Sequence, residues 1–122
     1  MSDKKILSTG VLGKDINVAF AGITLVNLDP DDIRKVIVHV YRWDSGSSTP
    51  LPLSAPNPIV LNPNTSVRIT ANLQNAFFYE IRIIHPGDKD VLVNCYGVSN
   101  FPFVNGEGDT VLQHDLVEVK LK

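Results

Sequence analysis

The sequence predicts an all-β protein: a single antiparallel jelly-roll or β-sandwich domain preceded by an extended N-terminal arm. Three observations carry this. No segment repeats its apolar residues at the 3.6-residue period of a helix over a useful length. Roughly seven to nine short runs instead alternate apolar and polar residues, as half-buried strands do. Turn-forming clusters stand between these runs, at Leu28 to Asp32, Ser45 to Pro50, Asn62 to Asn64, His85 to Asp90 and Asn105 to Asp109. Many short strands punctuated in this way form sandwiches and jelly rolls. Residues 1–15 are assigned to the arm and residues 16–122 to the domain.

In the arm, Leu7, Thr9 and Val11 alternate with Ile6, Ser8 and Gly10, and Leu12 follows. A solvated tail would be poorer in aliphatics. The spacing is that of a strand, so Ile6, Leu7, Thr9, Val11 and Leu12 are expected to pair with a sheet, either the chain's own or a neighbour's. Fifteen extended residues reach roughly 50 Å, more than the roughly 35 Å diameter of a domain this size. The arm is therefore long enough to enter a second subunit.

Ile16 to Asn27 is apolar on both faces, which suits a central strand, and Gly22 within it marks a bulge or a close backbone approach. The acidic turn that follows, Asp29 to Asp32, lacks the full ligand pattern of a calcium loop and reads as a solvated turn. Arg34 to Asp44 is the clearest strand: Val36, Val38 and Val40 form a core face, and Ile37, His39, Tyr41 and Trp43 line the other. The second face mixes apolar bodies with polar tips, which marks it as a possible contact face.

The proline-punctuated stretch Pro50 to Pro58 is restricted to an edge or a covering loop. Ile59 to Leu61 is a short strand. Thr65 to Leu73 points Val67, Ile69, Ala71 and Leu73 inward, and Phe77 to His85 points Phe77, Tyr79, Ile81 and Ile83 inward, leaving Glu80 and Arg82 on a wet face. Val91 to Val98 is a further strand, Phe101 to Phe103 opens an irregular stretch, Asn105 to Asp109 is a glycine-rich turn, and Leu116 to Lys122 closes the fold.

Size, charge and side-chain chemistry exclude several functions. A chain of 122 residues has room for one domain and can bury its core without staples. A net charge of -2 with no basic stripe leaves no surface for nucleic acid. Cys95 is the sole cysteine, which rules out an internal disulfide, and its apolar neighbours suit burial. Met1 to Lys5 has no apolar signal core behind it and no run is long enough to span a bilayer, so neither a secretory leader nor a membrane partner is expected. His39, His85 and His114 lie on separate elements with no ligand spacing, and there is no nucleophile elbow or phosphate loop. No enzyme activity, cofactor or metal is expected.

Ser8-Thr9-Gly10, Val26-Asn27, Val36 to Asp44, Pro63-Asn64-Thr65-Ser66, Phe78 to Ile83 and Val91 to Gly97 occur in an order that resembles small all-β surface proteins of spore-forming Bacillus-type bacteria. Within that group the chain is similar to subunits of the thin, F-type endospore appendages. The resemblance runs from about Ser8 to Gly97 and carries fold better than function. It implies a jelly roll whose N-terminal arm inserts into the neighbouring subunit's sheet by donor-strand complementation. The product would be a head-to-tail homopolymer on the spore surface, made in the mother-cell cytoplasm. An anchoring protein at its base and a tip protein are further implied partners. Sturdier, cross-linked appendages carry cysteines near the N-terminus; this arm has none, so its fibre would be non-covalent. Two other functions fit the pattern: a carbohydrate-binding jelly roll using Tyr41 and Trp43 as a stacking platform, and a non-fibrous coat or phage-like surface protein.

Overall fold

The computed structural model describes residues 4–14, 18–44, 46–73, 75–99, 105–111 and 113–119. The described strands are, in chain order, β1 (Lys5–Ser8), β2 (Leu12–Gly13), β3 (Val18–Asn27), β4 (Arg34–Arg42), β5 (Thr49–Pro50), β6 (Ile59–Leu61), β7 (Thr65–Asn72), β8 (Phe78–His85), β9 (Val91–Ser99), β10 (Asn105–Val111) and β11 (Val117–Glu118). A single 3-10 turn, Gln113–Asp115, precedes β11, and no α-helix occurs among the described residues. Two antiparallel sheets result. One runs β11-β1-β8-β4-β5, with β2 continuing beside β8 and β6 beside β4; the other runs β10-β9-β3-β7. The protein is all-β, with the two-sheet architecture of a β-sandwich.

Period-two alternation decides which side chains fill the core. Val36, Val38 and Val40 of β4 and Tyr79, Ile81 and Ile83 of β8 are buried on one sheet. Ala21, Ile23 and Leu25 of β3, Ile69 and Ala71 of β7, and Val91, Val93 and Cys95 of β9 are buried on the other. Together they form one cluster. Each large aliphatic removed from water contributes about 1.5–3 kcal/mol. As its two apolar faces require, β3 is central, paired to β7 on one side and β9 on the other.

The turn after β3 owes its shape to Asp29. Its Oδ1 accepts the backbone N–H groups of Asp31 (2.8 Å) and Asp32 (3.0 Å), while Oδ2 accepts from Arg34 at 2.8 Å. These amides and the guanidinium hold the carboxyl below its ordinary value. Asp29 is thus engaged by protein donors, and no cluster of three metal-ligating side chains occurs among the described residues. The proline-rich stretch is a covering loop: Leu53 bridges to Ala71, and the Asn57 side chain stands in for a strand, donating to Val38 O (2.8 Å) and accepting its N–H (2.9 Å).

The structure differs from the sequence expectations at several places, among them Thr49–Pro50, expected in a loop but paired with β4 as β5. Asn105 to Asp109, expected as a turn, lies within β10, whose main chain pairs with β9 at Asn105↔Val98 and Gly106↔Gly97 despite the glycines. Phe77, expected inward, is 73% exposed because β8 begins one residue later. The closing strand is confined to Val117–Glu118, with residues 120–122 outside the described residues. His85, expected where the strand passes into the turn, ends β8 and is buried, its Nε2 2.8 Å from Val91 O and its Nδ1 accepting the Gly87 N–H at 2.9 Å. The expected strand start at Ile16 and the stretch Phe101 to Phe103 lie outside the described residues.

Gly22 is explained by a close approach. A Cβ placed on it would lie 2.3 Å from Cε2 of Tyr96, whose ring covers the glycine. The Tyr96 hydroxyl meets Thr24 Oγ1 at 2.8 Å, and the Arg68 guanidinium sits 5.4 Å from the ring centroid. Replacing Gly22 by Val should displace the ring and lower stability by about 1–3 kcal/mol. Denaturant unfolding measures this, and a Tyr96→Ala partner substitution should recover most of the loss if ring overlap is its cause.

Candidate functional site

The N-terminal arm and the strands around it form the most specific constellation on the molecule. β1 lies between β8 and β11, antiparallel to both. Lys5, Ile6, Leu7 and Ser8 face His85, Ile84, Ile83 and Arg82. On the other side Leu7 and Ser8 face Glu118 and Val117, and the Val119 N–H donates to Ile6 O at 2.7 Å. The segment 5–13 therefore fills a slot along the main chain of β8, closed on its other side by β11 from Ile6 to Ser8.

A bulge divides the arm. From Ser8 to Leu12 the arm advances four residues, while its partner advances three, from Arg82 to Tyr79. Gly10 makes this possible by adopting φ +71°, a conformation that a side chain disfavours. Thr9 spans the irregularity: its N–H donates to Ile81 O and its Oγ1 accepts the Ile81 N–H, both at 3.1 Å. The extra residue changes which side chains face inward. Leu7 and Leu12 pack against the core, whereas Val11, expected on the same face as Leu7, is 52% exposed. Ile6 and Thr9 are half-buried.

Beside the bulge sits a polar cluster that the sequence did not reveal. Glu80, expected on a wet face, is only 5% exposed. Its Oε2 accepts from Ser8 Oγ (2.5 Å) and Arg82 Nε (2.9 Å), and its Oε1 accepts from Trp43 Nε1 (2.9 Å). Ser8 Oγ also accepts the Gly10 N–H at 2.8 Å. One carboxylate thus ties the arm, β8 and the end of β4 together. Burial pushes the Glu80 carboxyl up, but the hydrogen bonds from Arg82, Ser8 and Trp43 outweigh it and leave the carboxyl below its ordinary value.

The four residues of the expected contact face are all half-buried. Ile37 shares its row with Ile84, and Ile84 with Ile6, so apolar side chains run across three strands. His39 and Tyr41 have ring centroids 5.9 Å apart, and the Arg82 guanidinium lies 4.7 Å from the Tyr41 ring centroid. Tyr41 is therefore covered by Arg82, and the Trp43 N–H is taken by Glu80, so these two rings do not form an open platform of the kind that stacks on sugars. A groove of 460 Å³, open to solvent, runs between β4 and the proline-rich loop past His39, Pro50 and Pro56, and no Asp, Glu, Lys or Arg side chain lines it.

Glu80→Gln should weaken the arm by about 1–3 kcal/mol, because Ser8, Trp43 and Arg82 lose their shared charged acceptor. Hydrogen exchange at Leu7 and Thr9 would report this as faster exchange. A carboxyl held below its ordinary value stabilises the fold fully above pH 4.5, and this stabilisation is lost as pH falls through the depressed folded value. The wild-type arm should therefore loosen in acid below about pH 4.5, and Glu80→Gln should lack that component. No family model, curated protein or solved structure matches this chain, so its function has to be argued from the slot and its occupant.

Proposed function

We propose that the protein is a structural subunit that assembles non-covalently into a surface fibre, each copy placing residues 5–13 in the slot between β8 and β11 of a neighbour. The observation that supports this most is the position of β1 inside its sheet. A terminal strand lying on an edge could leave without consequence. β1 leaves behind two walls of unpaired main chain and the uncovered apolar contacts of Leu7 and Leu12. A second copy of the same segment satisfies both walls equally well, using main-chain bonds for affinity and alternate side chains for register.

The sandwich around the slot is of jelly-roll type in this proposal, the chain passing between sheets at β2–β3, β3–β4, β6–β7, β7–β8, β8–β9 and β10–β11. Contacts of this kind are heterologous, and where they do not close on themselves they grow into filaments. The spore surface is the location that the sequence resemblance implies, with an anchoring protein and a tip protein as further partners. The covered Tyr41 and engaged Trp43 count against the carbohydrate-binding alternative.

Negative-stain electron microscopy of the full chain should show filaments, and a variant lacking residues 2–14 should show none. Because that variant leaves the slot empty, adding a synthetic peptide of residues 4–14 should restore a folded monomer without restoring filaments. Filaments from the truncated chain, or closed shells from the full one, would contradict the proposal. Cys95 is buried and its thiol is pushed up to about 12 by that burial. The filaments should therefore survive reducing agent undiminished, whereas collapse on reduction would point to cross-links between chains.

A further inference from the structure

Resting on the arm exchange proposed above, we infer that the end of the body carrying Phe77, Phe78 and Val11 is the surface on which a second copy of this chain docks. The argument begins with what exchange changes. The arm makes the same contacts with β8, β11 and Glu80 whether the slot belongs to its own chain or to another. Those contacts cancel between the closed monomer and the exchanged form, so they cannot favour assembly. The preference must come from a surface that meets a partner only after exchange.

The reach of the chain says where that surface is. Gly13 ends the arm in its slot and Val18 begins β3 in the body, five residue steps apart, which span at most about 18 Å. After exchange in the same register, the donor's Val18 must lie within that distance of the acceptor's Gly13 position. Both points are at the same end of the sandwich, since Gly13 pairs with Phe78 at the start of β8, and Val18 with Ser99 at the end of β9. The other end of β8, at His85, is about 23 Å away at the rise of a strand. The link cannot bridge that, so bodies stacked end over end are excluded. The two ends that carry the link must lie close together.

Among the described residues, the aromatics more exposed than half-buried, Phe77 and Phe78, are both at that end. Phe77 is 73% and Phe78 50% exposed, and Val11 beside the bulge is 52% exposed. Large aromatics are ordinarily buried, and exposed ones gathered at one end of a body mark a contact site. The backbone beneath them is held firmly. The Phe77 N–H donates to both carboxylate oxygens of Asp44 (2.9 and 3.0 Å), the Phe78 N–H donates to Asp44 Oδ1 at 2.8 Å, and the Phe77 carbonyl accepts the Lys14 N–H at 2.8 Å. These bonds fix two aromatic residues outward at the point where the arm leaves the body. In the filament these ends gather toward the axis, each body giving its arm to one neighbour and receiving another's.

Cross-linking tests this. Asn75 is exposed beside Phe77, and Lys89 is exposed at the far end; Cys95 is buried and leaves an introduced thiol as the reactive one. Under mild oxidation of the assembled protein, Asn75→Cys should form inter-chain disulfides and Lys89→Cys should not. Phe77→Ser should raise the concentration needed for assembly about tenfold or more and leave the unfolding transition of the monomer unchanged. Filaments that cross-link through Lys89→Cys alone, or a Phe77→Ser variant that assembles like wild type, would overturn the docking surface and leave arm exchange standing. A wild-type chain that stays monomeric at every concentration would overturn arm exchange, and the docking surface with it.

Discussion

The fold turns on the pairing of β8. This strand is buried on its inner face and lies in the interior of its sheet, so both rows of its main-chain hydrogen-bonding groups need partners. β4 supplies one row from Ile37 to Arg42. The other is supplied by β1 and β2, whose partners on β8 lie 65 to 80 residues away in sequence. Without the arm, β8 is an open edge beside an unattached β11, and open edges recruit other strands.

The Ser8–Glu80 contact makes that pairing specific. Main-chain bonds alone would tolerate a slip of register, since every residue carries the same groups. A buried carboxylate with three fixed donors does not tolerate one, because a slipped arm would leave Glu80 short of a partner in a poorly hydrated site. Gly10 contributes in the same direction, since its left-handed conformation places the bulge at one position along the arm. Register therefore depends on two residues of the arm, while affinity is spread along its length. That division suits the arm exchange proposed above.

Much of the fold was legible because local alternation and burial agree. The valine face of β4, the inward Ile69 and Ala71 of β7, the inward Ile81 and Ile83 of β8 and the central place of β3 follow from which side chains alternate. Legibility failed where long-range geometry overrides the local pattern. Glu80 looks like a wet residue in its own strand, and only Ser8 and Trp43, from other strands, make its burial tolerable. A one-residue bulge turns Val11 outward, although Gly10 was a visible signal that the alternation could break there. In β10 the glycines suggest a turn, yet pairing to β9 settles its state. Of the candidate site, the arm was visible as a strand, but its partners were not, because strand spacing carries no information about which edge a strand joins.

The central claim is that the arm seen beside β8 belongs, in the assembled protein, to another copy. Solid-state NMR of filaments grown from an equal mixture of 15N-labelled and 13C-labelled chains tests it directly, since only contacts between chains give nitrogen–carbon correlations. Exchange predicts correlations from the Leu7 and Ser8 nitrogens to carbons of Ile83 and Arg82, the residues they face across the ladder. Filaments that lack these correlations, and show them only when a single chain carries both labels, would mean that the arm stays at home and that the fibre is built by other contacts.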